Sequence, residues 1–242
     1  MTSQDDRKES DINWQHPDVS KLLENVERRT FKKGDIILRP SEKTEHVFII
    51  VSGLIKAYSV DAQGNESLAM ISGQNEMFPL GWIIQERIQG AYFQAMNDCE
   101  VILLPRKVFL SEMNASPRFS FLIIQALLEQ IYVIAARANN LGLKYARERL
   151  AYRLLVFASR FGYKEGDSLV APHITQQDLA SAINVSRENV NREITRLEKM
   201  GVISYTRSAI TIHDPVALRK EISKNVQVLF FDSDFSPDKS EI

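Results

Sequence analysis

Short apolar runs separated by turn residues occupy the chain from Thr30 to Pro105. Many short strands at regular spacing, with glycine and asparagine turns between them, predict an antiparallel β-sandwich or β-roll. A short helix is expected before the first strand, over 19–27, and the polar, aperiodic residues 1–18 predict a flexible arm. The expected strands are 35–38, 46–51, 54–60, 67–71, 91–96 and 100–104.

The pattern becomes helical over 117–143. Apolar residues there recur at alternating spacings of three and four, as in the seam of a coiled coil. The seam residues are Ile124, Leu127, Ile131, Ile134, Ala138 and Leu141. The opposite face is also apolar, at Phe119, Ile123, Ala126 and Val133. A helix with two apolar faces needs two partners, so we expect the β domain on one side and the same helix of a second subunit on the other. Burial inside one monomer is the alternative.

The polar residues Arg137 and Asn140, near the end of this helix, favour the dimer seam, because polar residues can fix the register of paired helices. Residues 144–225 then predict a second domain. It begins with a helix over 145–161 and a loop over 163–172. Two short helices, two short strands and a helix over 216–223 follow. The domains expected are thus 19–116, 117–143 and 144–225, with a C-terminal tail over 226–242 to which the sequence gives no role.

Charge and composition narrow the function. The net charge is −1, but residues 144–207 carry 11 basic and 7 acidic side chains, a local charge of +4 that suits a nucleic acid. The single Cys99 and four scattered histidines show no metal-ligand spacing. A polar, acidic start and the lack of a long apolar run predict a cytoplasmic protein without a membrane span. We find no catalytic triad, phosphate loop or GxGxxG motif, so an enzyme is not expected.

The most informative segment is Ile174–Ile203. Thr175 and Asp178 resemble a capping box that opens one helix, Asn184-Val185 predicts a tight turn, and Ser186 caps a second helix. In the second helix Val190, Ile194 and Leu197 recur on one face, which we expect to be buried. A helix-turn-helix places the start of its second helix in the DNA major groove, where Arg reads guanine, Glu accepts from cytosine and Asn pairs with adenine.

The strands 202–205 and 210–213 predict a β-hairpin wing whose tip brings Arg207 to a phosphate. A helical hairpin for protein contacts, with solvated charges, is the alternative interpretation of the segment. The predicted DNA-binding residues are Thr175, Gln176, Ser186, Arg187, Glu188, Asn189, Asn191, Arg192, Thr195, Arg196 and Arg207.

The order of β-roll, long helix and winged helix resembles the CRP/FNR regulators over roughly residues 19–219. The similarity is carried by 31–35, 47–53 and above all Ser186–Glu193, SRENVNRE. It implies an α+β chain with an N-terminal antiparallel β-roll of the cyclic-nucleotide-binding type, a long dimerisation helix and a C-terminal winged helix-turn-helix. It also implies that Arg187, Glu188 and Arg192 read bases or phosphates, in half-sites roughly 34–36 Å apart. Asn191 departs from the glycine or serine that family members often have.

The resemblance also bears on the effector. Members of the family that bind cyclic AMP carry Phe-Gly-Glu and, later, an arginine for the cyclic phosphate. Here the matching segments, 77–82 and 89–92, have neither the Glu nor the Arg, and the offset of Arg87 is wrong. A buried phosphate without a cation is costly, so tight binding of cyclic AMP is not expected. One cysteine, expected to be buried, argues against an iron–sulfur cluster, and no residue is well placed as an axial haem ligand.

Two interpretations remain for the β-roll interior. Its apolar residues could line a pocket for a small hydrophobic or aromatic effector, or they could fill the core. The candidate pocket residues are Phe78, Leu80, Trp82, Gln89, Tyr92 and Phe93. The sequence therefore predicts a homodimeric, sequence-specific transcription regulator that binds a palindromic operator. Its effector is not cyclic AMP or is absent, and RNA polymerase is a partner if it activates. The alternative function is a ligand-sensing or protein-interaction module that does not bind DNA.

Overall fold

The computed structural model describes residues 22–23, 26–87, 90–223 and 226–229. These form two compact units. The first contains the described residues up to Ser59 together with Met70–Ile131. The second contains Val60–Ala69 and the described residues from Tyr132 onward. The domain boundaries predicted after residues 116 and 143 coincide with the two ends of the helix Pro117–Gly142. The division into compact units follows packing instead and falls within that helix, between Ile131 and Tyr132.

Two four-stranded antiparallel sheets form the first unit, as the β-roll prediction requires. The strands are β1 Arg28–Phe31, β2 Ile36–Leu38, β3 His46–Ser52, β4 Ile55–Val60, β5 Glu66–Ser72, β6 Met77–Phe78, β7 Tyr92–Ala95 and β8 Cys99–Pro105. The strand orders of the two sheets are β1-β8-β3-β6 and β2-β7-β4-β5. Two strands, β1 and β6, were not expected from the sequence.

Alternation along these strands produces two hydrophobic layers. Side chains such as Phe48 and Phe93 face the space between the sheets, while Val47 and Ile49 face the opposite side of the first sheet. That opposite side is covered by α1 (Leu80–Gln85), α2 (Arg106–Ala115) and the start of the long helix. Neither α1 nor α2 was predicted from the sequence. Of the helix expected over 19–27, Leu22 and Leu23 are helical, Val26 and Glu27 are not, and the rest lies outside the described residues.

Gly53, which follows β3, is required by the local geometry. Its φ is +90°, a left-handed conformation that favours glycine. A Cβ at this position would lie 2.6 Å from both the backbone oxygen of Asp98 and the Sγ of Cys99. Gly34, at the start of the roll, has a similar φ of +93°, yet nothing lies within 4 Å of its added Cβ. Crowding therefore constrains Gly53 beyond its dihedral angle.

The long helix, α3, spans Pro117–Gly142. Its predicted inner face is buried at Phe119, Ile123, Ala126 and Val133, and Gln130 Nε2 donates to the Met77 carbonyl at 3.1 Å. Within the described ranges it is the one helix long and apolar enough to cross a membrane, with a mean hydropathy of 1.8 over 18 residues. One face of the helix nevertheless packs on protein, as in a helix of a folded domain.

The second unit combines helices with a four-stranded antiparallel sheet of order β11-β12-β10-β9. The loop predicted over 163–172 is instead a hairpin, because Leu169 and Ala171 alternate into the core and Gly166 turns the chain at a φ of +60°. Leu68, the third residue of β5, also belongs to this unit, and its N–H donates to Ser181 Oγ at 2.8 Å. The elements are α4 Ala146–Phe161, β9 Tyr163–Glu165, β10 Ser168–Pro172, α5 Gln176–Ile183, α6 Arg187–Lys199, β11 Ile203–Tyr205, β12 Ala209–Ile212 and α7 Pro215–Lys220.

Candidate nucleic-acid interface

Two side-chain caps and one left-handed turn build the helix-turn-helix. Thr175 Oγ1 accepts from the Asp178 N–H at 3.0 Å and donates to the Asp178 carboxylate at 2.6 Å, so that α5 begins where the sequence predicts. Asn184, at a φ of 53°, ends α5. Ser186 Oγ then accepts from the Asn189 N–H at 3.3 Å and opens α6. The two predicted caps therefore fix both helix starts, and each hydroxyl accepts from a backbone N–H.

The helix α6 has one buried and one exposed face. Val190, Ile194 and Leu197 are each at most 2% exposed and anchor the helix to the core. Over residues 187–195 the exposed residues are Arg187, Glu188, Asn191, Arg192 and Thr195. The first turns of α6 thus present two arginines, a carboxylate and an amide to solvent, which are the groups that read base edges in a major groove.

Hydrogen bonds orient several of these exposed groups. Arg192, whose side chain is 69% exposed, donates from Nη2 to Asn189 Oδ1 at 2.8 Å. Gln176 Nε2 on α5 donates to Asn191 Oδ1 at 3.1 Å, which leaves the Asn191 amide hydrogens available. Hydrogen bonds from its own backbone N–H and from Ser186 hold the pKa of Glu188 below its ordinary value. Glu188 therefore remains an ionised acceptor at neutral pH.

The wing is the hairpin β11–β12, with Arg207 exposed in its turn. Thr206 Oγ1 accepts from the N–H groups of Ser208 and Ala209 and so closes the turn. His173 Nδ1 lies 2.7 Å from the Thr206 carbonyl. The Tyr205 hydroxyl donates to the Ile174 carbonyl at 2.6 Å.

Burial raises the pKa of Tyr205 to about 12, so its hydroxyl stays a donor. His173 and Tyr205 support the wing, a role that was not predicted from the sequence. The one indication in the sequence was that two aromatic residues flank the helix-turn-helix.

Arg196, one of the predicted DNA-binding residues, differs from the others because its guanidinium is bonded to carboxylates of its own domain. Its Nη2 and Nη1 donate to the two carboxylate oxygens of Glu221 at 2.6 and 3.2 Å, and its Nε donates to Glu193 at 2.9 Å. These hydrogen bonds raise the pKa of Arg196, that from Glu221 most. We call these three residues the Arg196 clasp. The guanidinium is engaged by two carboxylates of its own domain, so Arg196 holds α6 in place.

Residues 28–116 match the family model described as "Cyclic nucleotide-binding domain", and residues 148–221 match the one described as "Crp-like helix-turn-helix domain". The chain is a CRP/FNR-type transcription regulator. It is 24% identical over 197 residues to the "Global nitrogen regulator" of Synechocystis sp., an alignment that covers 80% of this chain and 88% of that protein.

A second relative of this CRP/FNR chain is the "CRP-like cAMP-activated global transcriptional regulator" of Mycobacterium tuberculosis. It is 24% identical over 203 residues, 84% of this chain and 91% of the relative. The solved structure of FixK2 from Bradyrhizobium japonicum shares the fold, with a TM-score of 0.72, 17% identity and coverage of 82% of this chain and 98% of that one. Regulators of this family bind DNA and act as dimers.

In this CRP/FNR chain most of the predicted dimer seam on α3 is open to solvent. Ile131 and Ile134 are 58% and 61% exposed, and Ile124, Ala138 and Leu141 are exposed as well. Leu127 departs from the prediction, because it is half-buried against the core of the first unit. Three further large side chains, which were not predicted, widen this exposed apolar face: Phe121, Leu128 and Tyr132.

The two polar residues expected at the seam lie elsewhere. Asn140 is 2% exposed and donates from Nδ2 to the Arg149 carbonyl at 2.7 Å. Arg137 Nη2 donates to Ser67 Oγ at 2.9 Å. Both side chains are engaged within the second unit, so neither fixes the register of a dimer seam as we had expected.

The candidate effector residues do not surround one cavity. Phe78 stacks between Phe48 and Phe93, with ring centroids 5.2 and 4.6 Å away, and these rings fill the space between the sheets. Tyr92 points to the opposite face of β7 from Phe93 and stacks on Tyr58.

Leu80 and Trp82 belong to the other hydrophobic layer, and Gln89 lies outside the described residues. Because the predicted set is divided among three environments, it cannot line a single pocket. The core-filling interpretation accounts for these positions.

The structure also bears on the reactivity of Cys99 and on metal binding. Cys99 is 3% exposed, and burial raises the pKa of its thiol. Across the ranges that the structure describes, no three His, Cys, Asp or Glu side chains come together in a group that could hold a metal ion.

Proposed function

We propose that this chain binds a palindromic operator in double-stranded DNA as a cytoplasmic homodimer. The observation that supports this most directly is the division of α6 into an anchored face and an exposed face. Val190 and Ile194 hold the helix, while Arg187 and Arg192 on its first turns are exposed to solvent. A major groove admits one such helix, and base edges accept from both arginines.

Each exposed group has a role that its chemistry suits. Arg187 and Arg192 donate bidentately to guanine, ionised Glu188 accepts from cytosine, and Asn191 uses its free amide hydrogens on an acceptor such as adenine N7. Arg207, at the tip of the wing, takes a backbone phosphate and positions the domain without reading sequence.

The exposed apolar face of α3 supports the dimer. A stripe that includes Ile131 and Ile134 is unusual for a monomer in water, and pairing with its copy removes it from solvent. Two α6 helices related by a two-fold axis then read half-sites roughly 34–36 Å apart.

The effector, in this proposal, is not cyclic AMP or is absent. Leu80, in the segment where cyclic-AMP-binding members carry Phe-Gly-Glu, is 3% exposed within an apolar cluster and offers no hydrogen bond to a ribose. The aromatic stack around Phe78 fills the space between the sheets. Contact with RNA polymerase is added if the protein activates transcription.

Selection of bound DNA from a random pool tests the proposal. We expect a palindrome whose half-sites are about one helical turn apart. On that operator, Arg192→Ala loses about 1–3 kcal/mol of discrimination against random DNA. Arg207→Ala serves as the matched control, since it weakens both DNAs alike and lowers the salt dependence by about one counterion. Recovery of no consensus, together with binding that salt does not alter, would refute the proposal.

A further inference from the structure

Three arginines in the second unit have buried donors without acceptors. Within the described ranges, Nε of Arg137, Arg149 and Arg153 makes no hydrogen bond, although all three atoms are buried. Buried donors in folded proteins almost always have a partner, and each exception calls for an explanation. Three guanidinium exceptions of one kind in one unit indicate that a common acceptor belongs there.

The chain brings these side chains together from two helices. Arg149 and Arg153 are one turn apart on α4, and Arg160 follows two turns later on the same face. The hydrogen bond between Asn140 and the Arg149 carbonyl holds the end of α3 beside the start of α4, which brings Arg137 to this face. We call Arg137, Arg149, Arg153 and Arg160 the arginine cluster. Arg137, Arg149 and Arg153 are each partly exposed to solvent, although their Nε atoms are buried.

Electrostatics point in the same direction. Burial and, after it, the positive charges of Arg160 and Arg137 lower the pKa of Arg153 to about 10, against the opposing effect of Asp178. The Asp178 carboxylate accepts from the Thr175 hydroxyl, and the Asp178 N–H donates to that same hydroxyl. The surroundings of Arg153 thus disfavour its positive charge, and a bound anion relieves this effect.

We infer that the arginine cluster is a binding site for a small phosphate-bearing anion. The site goes beyond the proposed function, since it lies neither on the α6 face nor inside the β-roll. Guanidinium groups bind phosphate side-on through Nε and Nη together, which supplies the acceptors that these Nε atoms lack. A phosphate or diphosphate carries more than one negative charge, so it stabilises the charged form of Arg153 better than a single carboxylate does. The phosphate comes either from a free inorganic ion or from the tail of a nucleotide.

Isothermal titration of the full-length protein tests this site with inorganic phosphate, pyrophosphate and ATP as probes. Pyrophosphate is expected to bind at constant ionic strength and, at ten times its Kd, to raise the Tm by about 3 °C or more. Tighter binding of ATP than of pyrophosphate identifies a nucleotide as the source, and equal binding identifies the inorganic ion. Arg153→Met weakens binding by about tenfold or more. Arg118→Met, which removes an exposed arginine from the start of α3, leaves binding unchanged.

Two further measurements distinguish an anion site from an arginine that already has a protein acceptor. Without ligand, Arg153→Met keeps or raises the Tm, because it removes a buried charge that lacks a partner. A fall in Tm would show that Arg153 already has an acceptor, such as an acid of a second subunit, and would overturn the inference. Arg192→Ala retains pyrophosphate binding. Failure of wild-type protein to bind any of the three probes, or equal binding by Arg153→Met, would also overturn it, whatever the result with DNA.

Discussion

Replacement of Arg196 by methionine separates a structural arginine from a base-reading arginine on the same helix. The substitution keeps the aliphatic stem and removes three hydrogen bonds of the Arg196 clasp, at 2.6, 3.2 and 2.9 Å. The side chains of Glu221 and Glu193 are only 17% and 15% exposed, so in the variant both carboxylates lose a cationic partner in a partly desolvated environment. Exposed pairs contribute up to about 1 kcal/mol and the rupture of buried pairs costs about 3–5 kcal/mol, so we expect a loss of about 2 kcal/mol.

Thermal unfolding measures this loss as a fall in Tm of about 4–8 °C for a chain of this size. A double-mutant cycle with Glu221→Gln isolates the pair and should give a coupling free energy of at least about 1 kcal/mol. Competition between operator and random DNA should give the wild-type ratio for Arg196→Met, in contrast to Arg192→Ala. If Arg196→Met keeps the wild-type Tm and loses DNA discrimination, the clasp does not exist in solution and Arg196 belongs to the DNA-binding set.

Three other predictions follow from packing and protonation. Ile134→Glu on the exposed face of α3 should shift the protein to monomer in analytical ultracentrifugation, whereas Val108→Glu, at an exposed apolar residue of α2, should not. Gly53→Ala should lower the free energy of unfolding by at least about 2 kcal/mol, but Gly34→Ala by only about 1 kcal/mol, because only the first meets a crowded backbone. The Ser223 hydroxyl lowers the pKa of Glu148 below its ordinary value of 4.5, so Glu148→Gln should lower Tm at pH 7. The difference should shrink as the pH falls below 4.5 and vanish once the carboxyl of the folded protein is protonated.

Local signals in the sequence predicted the centre of the DNA-binding domain well. Thr175 and Ser186 cap helices because their hydroxyls reach a backbone N–H three residues away, which the sequence displays directly. The buried face of α6 also follows from the helical spacing of its apolar residues, which a short segment is enough to show. The order of roll, long helix and winged helix could be predicted because each of these elements has its own local pattern of apolar residues and turns.

Features that depend on distant residues were not readable. Arg196 looks like a free cation in the sequence, because Glu221, its main partner, lies 25 positions away. The aromatic stack of Phe48, Phe78 and Phe93 joins three separate strands, so the sequence could not show that these rings fill the space predicted as a possible pocket. The hairpin over 163–172 was missed because Gly166 and Asp167 resemble a loop, although Leu169 and Ala171 alternate as a strand does.

The membership of Val60–Ala69 in the second unit has a consequence for synthesis on the ribosome. This decapeptide emerges before the remainder of the first unit, yet Ser181, which bonds to Leu68, is made much later. The first unit can therefore fold during translation, whereas the second must wait for the C-terminal helices before its earliest segment finds a place. A C-terminal fragment that starts near Tyr132 omits that segment, so its stability understates that of the intact chain.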